Sequence, residues 1–132
     1  HTSPCSADAI RPHMPPGSSV VLIGSTLSEK AVAGRCSYVT AKHATVGLMR
    51  SITQDLFGSG IHAVCVCPGF TDTPMLRREM KDEEEGKRFF KQFVSLGRMI
   101  TPDEVADSVL YAVNMPALNG SILHVNGGQK ET

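Results

Sequence analysis

Apolar residues along this chain fall either in short continuous runs or at helical spacing. Two runs, Ser19–Ile23 and residues 61–67, are rich in β-branched side chains, and a third lies at Ser121–Val125. Such runs are typical of strands buried on both faces of a parallel sheet. Between the first two runs, over residues 37–57, the apolar positions recur every three or four residues, which predicts an amphipathic helix.

Glycines mark the end of this helix and the return to the sheet. Gly58-Ser59-Gly60 follows the helical pattern and is interpreted as its stop, because glycine accepts the left-handed conformation that a helix end needs. A strand, a helix and a strand joined in this way form a βαβ unit. The two strands of such a unit run parallel, and the crossover is right-handed.

Downstream of the second strand the pattern changes from charged to aromatic. Residues 76–94 begin with basic and acidic side chains and end with Phe89, Phe90 and Phe93, and we interpret them as a helical lid over a cleft. The phenylalanines are expected in the core, or along a substrate pocket if the lid covers one. Residues 101–104 (Thr-Pro-Asp-Glu) form a capping box with proline at the first helical position, which predicts a further helix.

A chain of 132 residues is expected to form one domain. Residues 1–17 contain four prolines and are predicted to be an irregular N-terminal segment, with residues 9–11 as the frayed end of a helix. Residues 18–132 are predicted to form an α/β unit with three parallel strands and flanking helices.

The charge balance gives no support to some classes of partner. Lysine plus arginine and aspartate plus glutamate both number 13, so charge gives no reason to expect nucleic acid or an anionic membrane. No apolar run approaches the length of a membrane span, and the first residues lack the apolar stretch of a signal peptide. Without a signal or a disulfide framework, the expected compartment is the cytoplasm.

The cysteines and histidines show no metal-ligand spacing, so no metal site is expected. Cys65 and Cys67 would point to one face of the second strand, where they are interpreted as small apolar residues. Cys5 and Cys36 are the other two cysteines of the chain. Surface or packing positions are expected for His13, His43, His62 and His124.

The main chemical signal is a tyrosine and a lysine four residues apart near the start of the first helix. Tyr38 and Lys42 would lie on one helix face, one turn apart. A free tyrosine side chain has a pKa of about 10, too high for efficient proton transfer at neutral pH, and a nearby ammonium favours its phenolate. Lys42 is therefore predicted to make Tyr38 a usable general acid/base, although such a pair alone is a weak signal because it also occurs by chance.

The predicted sheet brings further polar groups to this pair. Ser25 follows the first strand and Pro68-Gly69 ends the second. Ligands of open parallel sheets bind outside the carboxyl ends of the strands, so Ser25, Tyr38, Lys42 and the Pro68 loop are predicted to meet at one sheet edge. Weaker candidates for lining a pocket there are Thr26, Leu27 and Met75.

These residues resemble the short-chain dehydrogenase/reductase family. Ser25, followed thirteen residues later by Tyr38-Val39-Thr40-Ala41-Lys42, resembles its catalytic segment. Residues 68–75 (Pro-Gly-Phe-Thr-Asp-Thr-Pro-Met) resemble its proline-glycine loop beside the nicotinamide. Residues 120–128 resemble its final strand, although Asn126 stands where an aspartate is more usual. The resemblance extends over nearly all of residues 17–128.

The resemblance implies a Rossmann-type doubly wound parallel sheet and an NAD(P)-dependent oxidoreductase that transfers hydride between a nicotinamide and a small-molecule carbonyl or alcohol. Tyr38 would exchange the proton of the substrate oxygen, Ser25 would orient that oxygen, and Lys42 would also hold the nicotinamide ribose. A homo-oligomer paired through the helix that bears Tyr38 is implied as well. The implied cofactor contacts are Tyr38, Lys42, Pro68, Gly69, Phe70, Thr71 and Thr73.

Part of the family pattern is missing from this sequence. The family fold begins with a strand and a glycine-rich turn that cradles the pyrophosphate, and Gly58-Ser59-Gly60 cannot be that turn because it follows a helix. The residue that separates NAD from NADP is missing too, so either cofactor is expected.

We interpret the sequence as the second half of the family fold. It is either incomplete at its start or a truncated, catalytically silent relative that acts as a binding or assembly module. In both cases the first strand is expected to expose an apolar edge.

Overall fold

The computed structural model describes residues 7–130, and its centre is a three-stranded parallel sheet. The strands are β1 (Ser19–Ile23), β2 (His62–Pro68) and β3 (Ser121–Val125), in the spatial order β1-β2-β3. Both strand pairs are parallel. The three strands agree with the prediction, with β2 shifted by one residue.

Within residues 7–130, four α-helices surround the sheet. They are α1 (Cys36–Asp55), α2 (Pro74–Glu79), α3 (Glu83–Phe93) and α4 (Pro102–Val113). Helix α4 begins at the predicted capping box, in which Thr101 and Glu104 each accept a hydrogen bond from the other's backbone N–H. Short 3₁₀ turns lie at Ala7–Ala9, Arg11–His13, Thr26–Ser28 and Pro116–Leu118.

Strand β2 carries the core because both of its faces are covered. Ala63, Cys65 and Cys67 pack against the α1 side, where Met49 of α1 is fully buried. The alternate residues of β2, such as Val64, pack against the α4 side. A fully buried side chain of this size stabilises the fold by about 1.5–3 kcal/mol. The two sulfur side chains therefore share one face, as the strand alternation predicts.

The turn from α1 to β2 confirms the predicted helix stop. Helix α1 ends at Asp55, and Gly58 and Gly60 both have a φ of +75°, a conformation that only glycine adopts without strain. The backbone N–H of Gly17 donates to the Gly60 carbonyl at 2.9 Å, which ties this turn to the segment that enters β1.

Two expectations differ from the structure. The predicted lid is two helices, because Met80 is extended and Asp82 begins α3 by accepting a hydrogen bond from the Glu84 N–H. The predicted helix end at residues 9–11 is wrong, because the segment forms two separate 3₁₀ turns. Proline at position 12 has no N–H to continue a helix. Residues 1–6 of the predicted irregular segment, including Cys5, and residues 131–132 lie outside the described part of the chain.

Strand β1 lies at one edge of the described sheet. It pairs with β2 on one side, and Ile23 at its end is 46% exposed. The apolar edge that was expected from the sequence is therefore present in residues 7–130. None of the helices in this range combines the length and the apolar character needed to cross a membrane.

Candidate active site

Tyr38 and Lys42 lie on the first turns of α1, where they form a close pair. The Lys42 Nζ lies 5.7 Å from the centre of the Tyr38 ring. It also donates a hydrogen bond of 3.4 Å to the carbonyl of Ile23, the last residue of β1. Lys42 therefore connects the tyrosine on α1 with the carboxyl end of the strand that precedes Ser25.

Ser25 begins the 3₁₀ turn that follows β1. Its Oγ accepts a hydrogen bond of 3.2 Å from the Leu27 N–H, and its own N–H donates to the Ser28 Oγ at 3.0 Å. Because the hydroxyl accepts in this contact, its proton stays available for a substrate oxygen. The backbone of Ser25 is extended, as is usual for a residue that begins a helical turn.

Buried hydroxyl groups hold the turn after Ser25 in place. Thr26 and Ser28 are each only 2% exposed. The Thr26 hydroxyl lies 3.5 Å from the Pro68 carbonyl at the end of β2, and the Ser28 hydroxyl lies 3.4 Å from the Thr45 hydroxyl on α1. We call residues 24–28 the Ser25 loop. The Ser25 loop is therefore fixed to β2, which ends at Pro68, and to α1, which bears Tyr38 and Lys42.

Gly24 lets the Ser25 loop lie directly on the buried cysteines. A Cβ at Gly24 would come within 2.7 Å of both the Cys67 Sγ and the Ser28 Oγ. Burial, together with the neighbouring Cys65, raises the pKa of the Cys67 thiol to about 11. The sulfur atoms of the two cysteines are 3.7 Å apart, so they form the apolar base on which the loop rests.

The loop after β2, residues 68–73, is called the Pro68 loop, and it lies against the end of β3. A Cβ at Gly69 would come within 2.9 Å of the Asn126 Cα, so only glycine fits this approach. The Asn126 Oδ1 accepts a hydrogen bond of 3.1 Å from the Gly128 N–H. A short turn beyond β3 thus supports the Pro68 loop.

The other predicted cofactor contacts of the Pro68 loop also hold the loop together. The Phe70 carbonyl accepts a hydrogen bond of 2.7 Å from the Ile100 N–H. The Thr71 hydroxyl donates to the Gly69 carbonyl at 3.1 Å, and the Thr73 Oγ accepts from the Leu76 N–H at 3.3 Å to begin α2. These contacts fix the path of the loop while its residues stay half-buried.

Helices α2 and α3, residues 74–93, form the lid, and a cavity of about 370 Å³ lies beneath it. The Phe70 ring meets Phe89 edge to face at 5.4 Å between ring centres, and Phe90 lies 5.7 Å from Phe70. Phe93 packs on Phe89 at 4.8 Å. The aromatic cluster thus joins the Pro68 loop to α3.

Exposed ion pairs attach the lid at its margins. Arg77 holds Asp72 through two bonds of 2.5 and 2.8 Å, and the Arg77 contact lowers the pKa of the Asp72 carboxyl. Arg35, at the start of α1, lies 3.9 Å from Glu79 at the end of α2. The Arg35 contact places the end of α2 beside the start of the helix that bears Tyr38.

The structure brings the predicted site residues together in pairs near the carboxyl ends of β1 and β2. Lys42 contacts Tyr38 and the end of β1, and the residue next to Ser25 contacts Pro68. Thr26 is buried, Leu27 is half-buried and Met75 is 72% exposed, and the expectation that they line a pocket stays a prediction.

Sequence reasoning missed Met80 and Gly86, which meet in the lid. The contacts of His62 and His124 were also not predicted from the sequence. His62 is buried and lies 2.8 Å from the Ala112 carbonyl through its Nε2. His124 meets Glu29 at 2.5 Å. Both histidines thus have packing or surface contacts, as expected.

Polar groups gathered at the carboxyl edge of a parallel α/β sheet are the arrangement of doubly wound ligand-binding proteins. The chain matches the family model described as enoyl-(acyl carrier protein) reductase over residues 4–130. The short-chain dehydrogenase fogB of Aspergillus ruber is 34% identical over 112 residues, which cover 83% of this chain and 41% of that protein. The dehydrogenase/reductase SDR family member 6 of Danio rerio is 32% identical over 117 residues, covering 85% of this chain and 48% of that protein.

Solved structures share the same fold. A variant of actinorhodin polyketide ketoreductase, determined with NADPH, is 31% identical with a TM-score of 0.77, covering 85% of this chain and 47% of its own. The ligand-free aldohexose dehydrogenase of Thermoplasma acidophilum is 29% identical with a TM-score of 0.75, covering 83% of this chain and 47% of its own. The chain belongs to the short-chain dehydrogenase/reductase family. It spans less than half the length of these relatives.

Proposed function

We propose that this chain carries the acid/base site of an NAD(P)-dependent oxidoreductase that interconverts a carbonyl and an alcohol. The supporting observation is the position of Lys42, whose Nζ contacts both the Tyr38 ring and the Ile23 carbonyl. A phenol, an ammonium and the Ser25 hydroxyl at one sheet edge are the groups needed to bind a substrate oxygen and exchange its proton.

In this proposal each side chain acts on one stated atom. Tyr38 gives its phenolic proton to the substrate oxygen during reduction and takes it back during oxidation. Lys42 stabilises the phenolate that remains, because opposite charges attract strongly where water is excluded. Ser25 donates its hydroxyl proton to the same oxygen, and its anchored loop keeps this donor oriented without reorganisation during the reaction.

The residues present fit a nicotinamide cofactor. An ammonium has three donors, and the contact with Ile23 occupies one at Lys42, so donors remain for ribose hydroxyls. The half-buried Pro68 loop would offer backbone groups and the Thr73 hydroxyl to the cofactor. When bound, the nicotinamide supplies or accepts the hydride, and either NAD or NADP is compatible with this proposal. The homo-oligomer and the cytoplasmic location expected from the sequence stay predictions.

The test of this role is Tyr38→Phe in the protein that contains this chain. Removal of a general acid/base typically lowers the turnover rate by about 100- to 10,000-fold, and we expect a loss of this order with cofactor affinity retained in a fluorescence titration. The matched control is Tyr111→Phe on α4, which alters the other tyrosine, a half-exposed one, and should leave turnover unchanged. Turnover retained by Tyr38→Phe would refute the proposed role.

A further inference from the structure

The cavity beneath the lid is lined by apolar side chains and by an excess of carboxylates. Its volume of about 370 Å³ lies in the range of small-molecule sites. The apolar side chains that line it come from the Pro68 loop and both lid helices, and they are Phe70, Leu76, Met80, Phe89 and Phe90. Aromatic and thioether groups of this kind favour ring-bearing or other bulky apolar ligands.

The cavity adjoins elements that carry the proposed active site. Phe70 belongs to the Pro68 loop and is also part of the cavity wall. Glu79, another lining residue, pairs with Arg35 at the start of the helix that bears Tyr38. A substrate whose oxygen meets Tyr38 and Ser25 would therefore extend its remaining part into this cavity.

The charged residues of the lining disfavour anions. Three carboxylates line the cavity, from Glu79, Asp82 and Glu85, against one ammonium from Lys81. Arg35 compensates Glu79, which leaves two carboxylates and one ammonium. A negatively charged ligand would meet like charge in the lining and lose its hydration against the apolar side chains, and both effects oppose binding.

One contact between the lid helices limits the volume of the cavity. Gly86 on α3 is buried, and a Cβ there would lie 2.7 Å from the Met80 Sδ. Met80 also lines the cavity, and because it ends in a flexible thioether, a methyl added at Gly86 would displace this group within the lining. Gly86 therefore leaves Met80 room to pack against the wall.

We infer that the substrate of this protein has a bulky, apolar and uncharged body, which occupies the lid cavity, and that Met80 and Gly86 set the size limit. This inference rests on the proposed function, because it assigns the substrate class of the same site.

The test measures binding of N-phenyl-1-naphthylamine, a neutral fluorescent probe, to the chain without cofactor. We expect saturable binding, and Gly86→Ala should weaken it by about tenfold, as one methylene-sized change does in an apolar pocket. The double variant Met80→Ala/Gly86→Ala should restore binding, because the displaced thioether is gone. The control Gly47→Ala adds the same methyl on α1, where a Cβ would meet nothing within 4 Å, and should bind as the unchanged chain does.

The charge prediction uses 8-anilino-1-naphthalenesulfonate, the anionic relative of the same probe. It should bind at least about tenfold more weakly, because the carboxylates of the lining repel its charge. The inference is overturned if the neutral probe does not bind, if Gly86→Ala binds it unchanged, if the double variant fails to recover, or if the sulfonate binds equally well. None of these readouts requires turnover, so they separate failure of this inference from failure of Tyr38→Phe to lower activity.

Discussion

The Ser25 loop and the lid are held by different kinds of contact. The Ser25 loop rests on buried sulfur atoms and is tied down by the buried hydroxyls of Thr26 and Ser28. The lid is attached by exposed ion pairs and by an aromatic cluster beside a cavity. Ser25, proposed to donate a proton to the substrate oxygen, thus lies on a tightly packed loop, whereas the region proposed for substrate choice borders a cavity.

The sharpest way to break this contrast is Gly24→Ala in the Ser25 loop. The added methyl would lie 2.7 Å from the Cys67 Sγ and the Ser28 Oγ, and neither atom has space to retreat. Overpacking of this kind costs about 1–3 kcal/mol, which we expect as a lower free energy of unfolding in a urea titration. Gly47→Ala is the matched control and should not destabilise the chain. Equal stability of both variants would show that the loop is not tightly packed.

A smaller loss of folding stability is expected at alkaline pH, where the Cys67 thiol beneath the same loop ionises. Burial raises its pKa from an ordinary 9.0 to about 11, so the folded state favours the neutral thiol. The resulting stabilisation is complete below pH 9.0 and is lost as the pH rises towards about 11.

Thermal unfolding of the unchanged chain, Cys67→Ala and Cys36→Ala between these two pH values measures this loss. The Tm of the unchanged chain and of Cys36→Ala, in which an exposed thiol is removed, should fall more steeply with pH than the Tm of Cys67→Ala. Parallel curves for all three would contradict a neutral buried thiol.

The smallest change in folding stability is expected at acid pH, where the segment after the lid joins α4. Arg98 binds both carboxylate oxygens of Glu104 at 2.8 and 2.9 Å. The Arg98 contact, with help from the Thr101 N–H, lowers the pKa of Glu104 from 4.5 to about 2. The stabilisation is present above pH 4.5 and is lost as the pH falls towards about 2.

Glu104→Gln should flatten the acid dependence of Tm over this range, by a small amount because the pair is exposed. Asp103→Asn, at an exposed neighbour on the same helix turn, is the control and should keep the dependence. A Glu104→Gln curve that follows the unchanged chain would show that the pair does not hold the junction.

The sequence predicted the elements whose signal is local and periodic. The apolar runs gave the three strands, the capping box at Thr101 gave the start of α4, and Gly58 gave the end of α1. The pairing of Tyr38 with Lys42 followed from helix geometry alone. The family resemblance predicted the rest of the candidate site.

Contacts between distant segments could not be predicted in this way. Thr26 is one hydroxyl in a polar loop, and nothing in its neighbourhood indicates burial against Pro68. The contact of Met80 with Gly86 depends on the angle between two short helices, which no periodicity encodes. The break before α3 had a local signal in Asp82, a residue type that favours helix starts, but the run of acidic residues after it hid that signal.

The parallel sheet also determines when the site can assemble during folding. Each strand pair is separated by a helical crossover, so β2 gains a neighbour only after a long stretch of chain has closed into a loop. Such closures carry an entropic cost before any pairing compensates it, and they slow folding. The Ser25 and Pro68 loops meet only when β1 lies beside β2, so ordering of the reactive groups is coupled to the slow, non-local steps of chain collapse.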